Sequence, residues 1–243
     1  MEYLNGFLVA CRGIPTTVWV SLVAVLIGVV FGLLLAFMRM AKNTVIRGIS
    51  HVYVDIVRGT PMVVQAFILA YGIPQILQEN VFYFRWADLV IPAVLVCGFN
   101  SAAYMAEVMR SGIQAVNKGQ MEAARSLGMS KGMAMRLIIM PQAVKIILPA
   151  IGNEFVTLIK ETSVLSFVGV VEIMRQGTLY NASTYQTFPA YIGVALAYLI
   201  LTLPLSKLIT YLDGKNQTNG GRRKTKKQLA AERAAETAKE AAA

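Results

Sequence analysis

The sequence predicts an all-α integral membrane protein with five transmembrane helices. Three observations carry this. Of 243 residues, 56% are hydrophobic and only 15% charged, and mean hydropathy is +0.56, whereas a soluble domain carries about 25% charge. Several stretches approach the roughly 20 apolar residues that cross about 30 Å of hydrocarbon. Most Lys and Arg residues lie between those stretches rather than inside them.

The same distribution disposes of a competing reading. A net charge of +10 would fit nucleic-acid binding, but Lys215, Arg222, Arg223, Lys224, Lys226 and Lys227 sit in a polar tail and most other cations in two loops. That is a pattern of membrane topology, so no nucleic-acid partner is expected. Cys11 and Cys97 have no metal or redox spacing, so no metal, cofactor or disulfide framework is expected.

The elements follow in order. No charge occurs between Arg12 and Arg39, and Thr16–Met38 reads as the first span. Its flank holds Glu2 and little basic charge, and no small-residue cleavage site follows, so it reads as retained. Residues 59–78 form a short second span, and Pro61 and Pro74 make it tilted or bent. The third covers 89–108. The fourth covers 146–171, interrupted by Glu154, Lys160 and Glu161. The fifth covers 189–210, with Lys207 near its end. Residues 1–213 are thus one transmembrane domain without a visible repeat. Residues 214–243 turn basic and then Ala-rich without an apolar face, and are expected to be a disordered cytoplasmic tail touching anionic lipid headgroups.

Orientation follows from the loop cations. Arg39, Lys42, Arg47 and Arg58 follow the first span. Arg110, Lys118, Arg125, Lys131, Arg136 and Lys145 lie between the third and fourth. The opposite side has Arg12, Arg85 and Arg175. The N-terminus is therefore expected outside and the C-terminus in the cytoplasm, in a multi-pass protein of the plasma membrane.

The loop 109–142 is too long for a simple connector. Residues Gln120 to Leu127 suit a short helix that Gly128 stops in a left-handed cap. Ser130 suits the N-cap of a second helix, Lys131 to Met140, limited by Pro141. Ala123 and Ala124 permit close approach. Without further information, this is a pair of amphipathic surface helices.

The spacing Glu122-Ala123-Ala124, three residues, Gly128, nine residues, Ile138, one residue, Met140-Pro141 resembles the EAA signature of ABC importer permeases. Met140 stands where the pattern has Leu, a volume-conserving difference. Two further segments narrow the resemblance to the polar amino acid uptake subfamily: Asp55 to Gln65, containing Arg58-Gly59-Thr60-Pro61, and Asn153 to Ser163. Asn100 to Tyr104 and Glu107 support it. The resemblance covers about Thr16 to Leu212. It implies a coupling role for Glu122, Ala123, Ala124, Gly128 and Pro141, on a helix that docks into a cleft of an ATPase. It also implies an ABC ATPase subunit dimer, an extracytoplasmic solute-binding protein, and a second permease chain, identical or paralogous. No G-x-x-x-x-G-K-[ST] loop occurs in the chain, so ATP hydrolysis belongs to a partner. No nucleophile–base set is present either, and the lone His51 reads as a solvated loop histidine.

Charges at membrane depth are costly and face a bundle interior or a water-filled cavity. At about 100° per residue, Asn153, Thr157 and Lys160 share one stripe, and Glu154 and Glu161 a neighbouring one. Lys160 diverges from both carboxylates along the helix, so each needs a partner elsewhere. An amino acid zwitterion is one such partner: Glu154 or Glu161 for its ammonium, Lys160, Ser163 or a helix N-terminus freed at Thr162-Ser163 for its carboxylate. An interhelical ion network involving Arg58 or Arg110 is the other. In resembling permeases the positions matching Glu154 and Lys160–Ser163 line the substrate pocket. Asn100 and Tyr104, four apart, share a face that either glues helices or meets substrate. Gly59, Thr60 and Pro61, with Gln65, either shape a gate or start the second span.

The expected function is a permease subunit of an ATP-binding-cassette importer for polar or charged amino acids, not an enzyme. The alternatives are a methionine-type permease and an ion-coupled secondary amino acid transporter.

Overall fold

A computed structural model of the protein describes residues 1–220, and every regular element among them is helical. The elements are α1 (Glu2–Cys11), α2 (Ile14–Arg39), α3 (Thr44–Gly59), α4 (Met62–Phe67), α5 (Ile73–Asn80), α6 (Val90–Gln114), α7 (Lys118–Ser126), α8 (Lys131–Ala134), α9 (Met140–Glu161), α10 (Ile173–Thr184) and α11 (Thr187–Gly220). Four helical stretches are long and apolar enough to cross a membrane: Glu2–Arg39, Val90–Gln114, Lys131–Val168 and Thr187–Gly214. A fifth crossing arises if Thr44–Gly59 and Met62–Asn80, bent by 102°, are counted together.

The centre is the packing of α2 on α6, which small residues permit. A Cβ on Gly28 would stand 2.6 Å from Ser101 Oγ, and one on Gly32 would collide with Met105 Cβ. Without a strong hydrophobic force between helices in lipid, close backbone approach and dispersion hold such a pair together. Val20, Ala24, Val96, Cys97, Leu158 and Leu165 form one buried cluster, and Ala36, Met105, Met109, Ile139, Ala143 and Ile147 a second. Leu22, Leu26, Val30 and Leu34 on α2 point outward and stay exposed.

Several boundaries differ from those the sequence implies. The residues ahead of the first span form α1, which packs on α11 where a Cβ on Gly6 would meet Pro189 O at 2.5 Å. The first loop is not a loop but α3, capped by Asn43, whose Oδ1 accepts from Val45 N–H at 2.8 Å. Helix α6 continues past residue 108 to Gln114, so the segment 109–142 is mostly helical. The segment after the fourth span holds α10, capped by Glu172. The last helix runs through 214–220, where disorder was expected. Residues 221–243, the rest of that expected tail, lie outside the described residues.

Two prolines are absorbed by the same device. Pro141 was expected to end a helix, yet the helix continues through it. Residues Met135–Ile139 widen into a π turn in which Met140 N–H reaches back to Met135 O. Residues Ile68–Gly72 do likewise, Ile73 N–H pairing with Ile68 O, just before Pro74. A proline has no N–H and its ring crowds the carbonyl four residues back. Widening the turn ahead of it accommodates both defects without breaking the helix.

Candidate functional site

The residues singled out in the sequence fall into three places. The first is the corner between α3 and α4. Thr60 is extended (φ −119, ψ 142) and Pro61 occupies the N-cap of α4. The proline interrupts the ladder, and its loose carbonyls find one partner: Gln65 Nε2 donates to Val57 O at 2.8 Å and Thr60 O at 3.1 Å, and lies 2.8 Å from Thr60 Oγ1. Gln65 Oε1 then accepts from Asn100 Nδ2 of α6 at 3.1 Å. Tyr53 hydroxyl donates to Phe99 O at 2.9 Å. The Arg58 guanidinium carbon stands 5.2 Å from the Tyr104 ring centroid, a cation–π arrangement. Gly59, Thr60, Pro61 and Gln65 are therefore joined to Asn100 and Tyr104 as one α3–α4–α6 corner.

Beneath it lies a cluster that sequence reasoning missed. Glu107 accepts from Arg110 Nη2 at 2.9 Å, pairs with Arg39, and has Arg58 at 3.7 Å. Arg39 also reaches His51 Nδ1 at 3.1 Å, so this exposed histidine has a protein partner. The pairs of Arg39, Arg58 and Arg110 all converge on Glu107. Arg58 and Arg110 thus pair with α6 and not with the charges of the fourth span. The signal available in the sequence was Glu107 and Arg110 three apart on one helix.

The second place is α9 and its end. Glu154 is half-buried and accepts from Ser101 Oγ of α6 at 2.8 Å. Ser101 also went unnoticed in the sequence, because a serine within an apolar helix carries no distinguishing pattern. Asn153 and Lys160 are exposed, Thr157, Glu161 and Ser163 half-buried, and Thr162 buried. Among the described residues, neither Glu154, Lys160 nor Glu161 has an ion-pair partner. The helix does not open at Thr162-Ser163 into a new N-terminus. It tightens into a 3₁₀ segment, Thr162–Val168, and Thr162 Oγ1 donates back to Ile159 O at 2.8 Å. A carboxylate-binding helix N-terminus is accordingly absent from Thr162–Val168, and the next helix, α10, begins with Glu172 as its cap.

That cap is a further residue the sequence did not mark. Glu172 is fully buried. Its oxygens accept from Met174 N–H at 2.9 Å, Arg175 N–H at 2.7 Å and the Tyr198 hydroxyl at 2.7 Å. It locks the start of α10 to α11 and satisfies the carboxylate that burial would otherwise strand.

The third place is the α7 knob. Asn117 caps α7, accepting from Gly119 N–H at 2.8 Å. At the far end Gly128 has φ +82. Its N–H pairs with Arg125 O at 3.0 Å and Met129 N–H with Ala124 O at 3.1 Å, a left-handed termination that satisfies the last carbonyls. Ser130 Oγ then accepts from Met133 N–H at 3.2 Å to cap α8. Ala124 is buried where α7 packs on α8 and the Met135–Ile139 turn. Glu122, Ala123, Gly128 and Leu127, the last 84% exposed, face outward. Pro141 lies at the first turn of α9.

Four helical stretches long and apolar enough to cross a membrane, a bent pair that adds a fifth if counted as one, and the capped helices α7 and α8 leading from one stretch into the next define a multi-pass membrane protein. The chain belongs to the family of binding-protein-dependent transport system inner membrane components, whose family model matches residues 28–217. It is similar to the probable amino-acid permease protein YxeN of Bacillus subtilis (strain 168), 35% identical over 205 residues, covering 84% of this chain and 90% of that protein. It is also similar to the probable glutamine ABC transporter permease protein GlnM of the same organism, 37% identical over 210 residues, covering 86% and 94%. Among solved structures, a crystal structure of an amino acid ABC transporter with histidines matches with a TM-score of 0.78 and 39% identity, covering 85% of this chain and 94% of that one. The protein is thus a multi-pass membrane permease component and not the ATP-hydrolysing subunit. Family membership implies a separate ATPase, a solute-binding protein and a second permease chain.

Proposed function

We propose that the chain is the permease subunit of an ATP-binding-cassette importer that moves polar or charged amino acids across the plasma membrane. In this reading it crosses five times: α1–α2, α4–α5, α6, α9 with its 3₁₀ end, and α11. The N-terminus is outside and the C-terminus cytoplasmic, as the loop cations favour. The path runs along the exposed side of α9 between two permease chains, an identical copy or a paralogue.

One observation carries the substrate class. Glu154, Lys160 and Glu161 place both signs of charge on a membrane-length helix without ion-pair partners among the described residues. A zwitterion complements such a face, the carboxylates meeting its ammonium and Lys160 its carboxylate. The relatives named for amino acids and for glutamine support the same class. Thr157 and Ser163 add hydroxyls beside these charges, and Thr162 holds the turn that follows. Asn100, Tyr104, Gly59, Thr60, Pro61 and Gln65 act as a gate-side corner, set by the proline and fastened to α6. Glu122, Ala123, Gly128 and the exposed Leu127 form the face that the ATPase cleft receives, with Ala124 and Pro141 supporting it from behind. Closure of the ATPase pair then biases the permease outward, and substrate state biases the ATPase in return.

The test is uptake in vesicles holding the permease, ATPase and solute-binding protein. Amino acid uptake that requires internal ATP and persists with an uncoupler supports the reading. Uptake abolished by the uncoupler with ATP present would make the chain an ion-coupled carrier instead.

A further inference from the structure

Helix α3 has three sides of different character. Ser50 and Val54 are buried, Ser50 Oγ donating to Leu35 O of α2 at 3.0 Å, and Tyr53 reaches α6. Val45, Ile49, Val52 and Ile56 fall within about 60° of one another on the helix, on the side away from that packing. They are 69%, 58%, 57% and 60% exposed. Between these two sides runs a polar strip of Arg47, His51, Asp55 and Arg58. An apolar row turned away from the protein core is not explained by folding of this chain.

The orientation of α3 says what meets it. The stretch Met62–Asn80, through the π turn, makes roughly 28 Å of helix at about 1.5 Å per residue, close to the bilayer core. It makes an angle of 102° with α3. If that stretch crosses the bilayer, α3 lies nearly in the membrane plane, at the end of α2. The cations divide accordingly. Arg39 and Arg58 are taken up by Glu107, whereas Lys42 and Arg47 are exposed and have no ion-pair partner among the described residues. An in-plane helix with an apolar row on one side, a polar strip holding Arg47 and the exposed Asp55 on another, and the unpaired Lys42 just ahead of its first turn has the composition of an interfacial helix.

We propose that α3 lies in the headgroup–acyl boundary of the leaflet it meets, its Val45–Ile56 row against acyl chains, and that Lys42 and Arg47 hold acidic phospholipid headgroups there. A second copy of the chain fits the row less well. Four aliphatic side chains one helix wide offer a few hundred Å², short of the roughly 800 Å² per partner of a stable interface. Lipid binding here also anchors the corner, because α3 leads directly into Gly59-Thr60-Pro61.

The experiment uses the whole transporter in lipid nanodiscs. In a Cys11→Ser background, where the remaining native cysteine of the chain, Cys97, is buried, Ile49→Cys carries an environment-sensitive fluorophore, with the Cys11→Ser parent as the labelling blank. Quenchers are iodide in water and lipids with a nitroxide near the top of the acyl chain, on either phosphatidylcholine or phosphatidylglycerol. The expected result is weak quenching by iodide and strong quenching by lipid. The phosphatidylglycerol quencher is effective at a lower mole fraction, by about fivefold for each headgroup-holding cation. Lys42→Gln/Arg47→Gln brings the two lipids to parity with an unchanged melting curve, and Lys42→Gln alone closes half the gap on a logarithmic scale if the double variant is poorly made. Strong iodide quenching would overturn the membrane placement. A probe shielded from both quenchers, with the unlabelled Ile49→Cys variant cross-linking two permease chains, would replace lipid by a second copy. Equal quenching by both lipids in the parent would remove the acidic headgroup.

Discussion

Arg110 Nη2 donates to Glu107 Oε2 at 2.9 Å one helical turn along α6, and the same carboxylate holds Arg39 of α2 and faces Arg58 of α3. One acidic group thus compensates three guanidiniums from three helices. The Arg39 side chain is only 8% exposed and Glu107 27%.

Glu107→Gln removes the compensating charge and leaves Arg39 buried beside two other cations. Breaking a fully buried pair costs about 3–5 kcal/mol and an exposed one about 0–1 kcal/mol, and the partly exposed Glu107 falls between the two. The purified permease–ATPase complex should melt several degrees lower, and Arg39→Gln added to Glu107→Gln should recover part of the loss. Equal melting of Glu107→Gln and the parent would mean that water compensates these arginines.

Gly128→Val tests the knob. A Cβ at Gly128 would touch nothing within 4 Å, so the effect is one of backbone alone. An L-residue at φ +82 costs on the order of 1–2 kcal/mol, more for a β-branched one, and Asn tolerates the region better. Gly128→Asn should therefore keep copurification with the ATPase and keep uptake, whereas Gly128→Val should lose both with membrane levels intact. If Val and Asn behave alike at this position, the left-handed termination does not matter to coupling.

The parts of this chain legible in its sequence are those governed by local rules. Hydropathy runs locate the long helices because bilayer thickness sets their length. Gly128 and Ser130 are readable because a left-handed cap and an N-cap each need particular residues. Pro141 misled because the proline rule omits the widened turn at Met135–Ile139 that relieves it. Helix α3 was hidden because a hydropathy window averages its apolar row with its polar strip. Ser101 was hidden because its partner Glu154 is 53 residues away, and of the Glu107 cluster only the Arg110 spacing is local, since Arg39 lies 68 residues away.

Topology is tested by single cysteines at Asn80 and Asn219 in intact cells. Under the proposed orientation a membrane-impermeant maleimide should label Asn80→Cys directly and Asn219→Cys only after permeabilisation. Labelling of both from outside would break the five-crossing arrangement and move α7 away from any cytoplasmic ATPase.

Glu154 separates a binding role from a structural one. Ser101 Oγ donates to Glu154 Oε1 at 2.8 Å, a bond that the amide oxygen of Glu154→Gln can still accept, so the variant keeps the α6–α9 link and loses only the charge. If the carboxylate meets a substrate ammonium, one charge-assisted contact of roughly 1.5–3 kcal/mol disappears. That corresponds to about a tenfold to hundredfold rise in the substrate concentration for half-maximal uptake. Melting should stay level or rise slightly, since a neutral amide is easier to bury than a carboxylate. Ser101→Ala gives the converse pattern: the carboxylate keeps its charge but loses its donor, which should lower the melting temperature with a smaller effect on apparent affinity. Uptake and melting curves measured side by side on the two variants decide the matter. Unchanged half-saturation with a lowered melting temperature for Glu154→Gln would leave Glu154 as a helix-packing residue and move the ammonium site to Glu161.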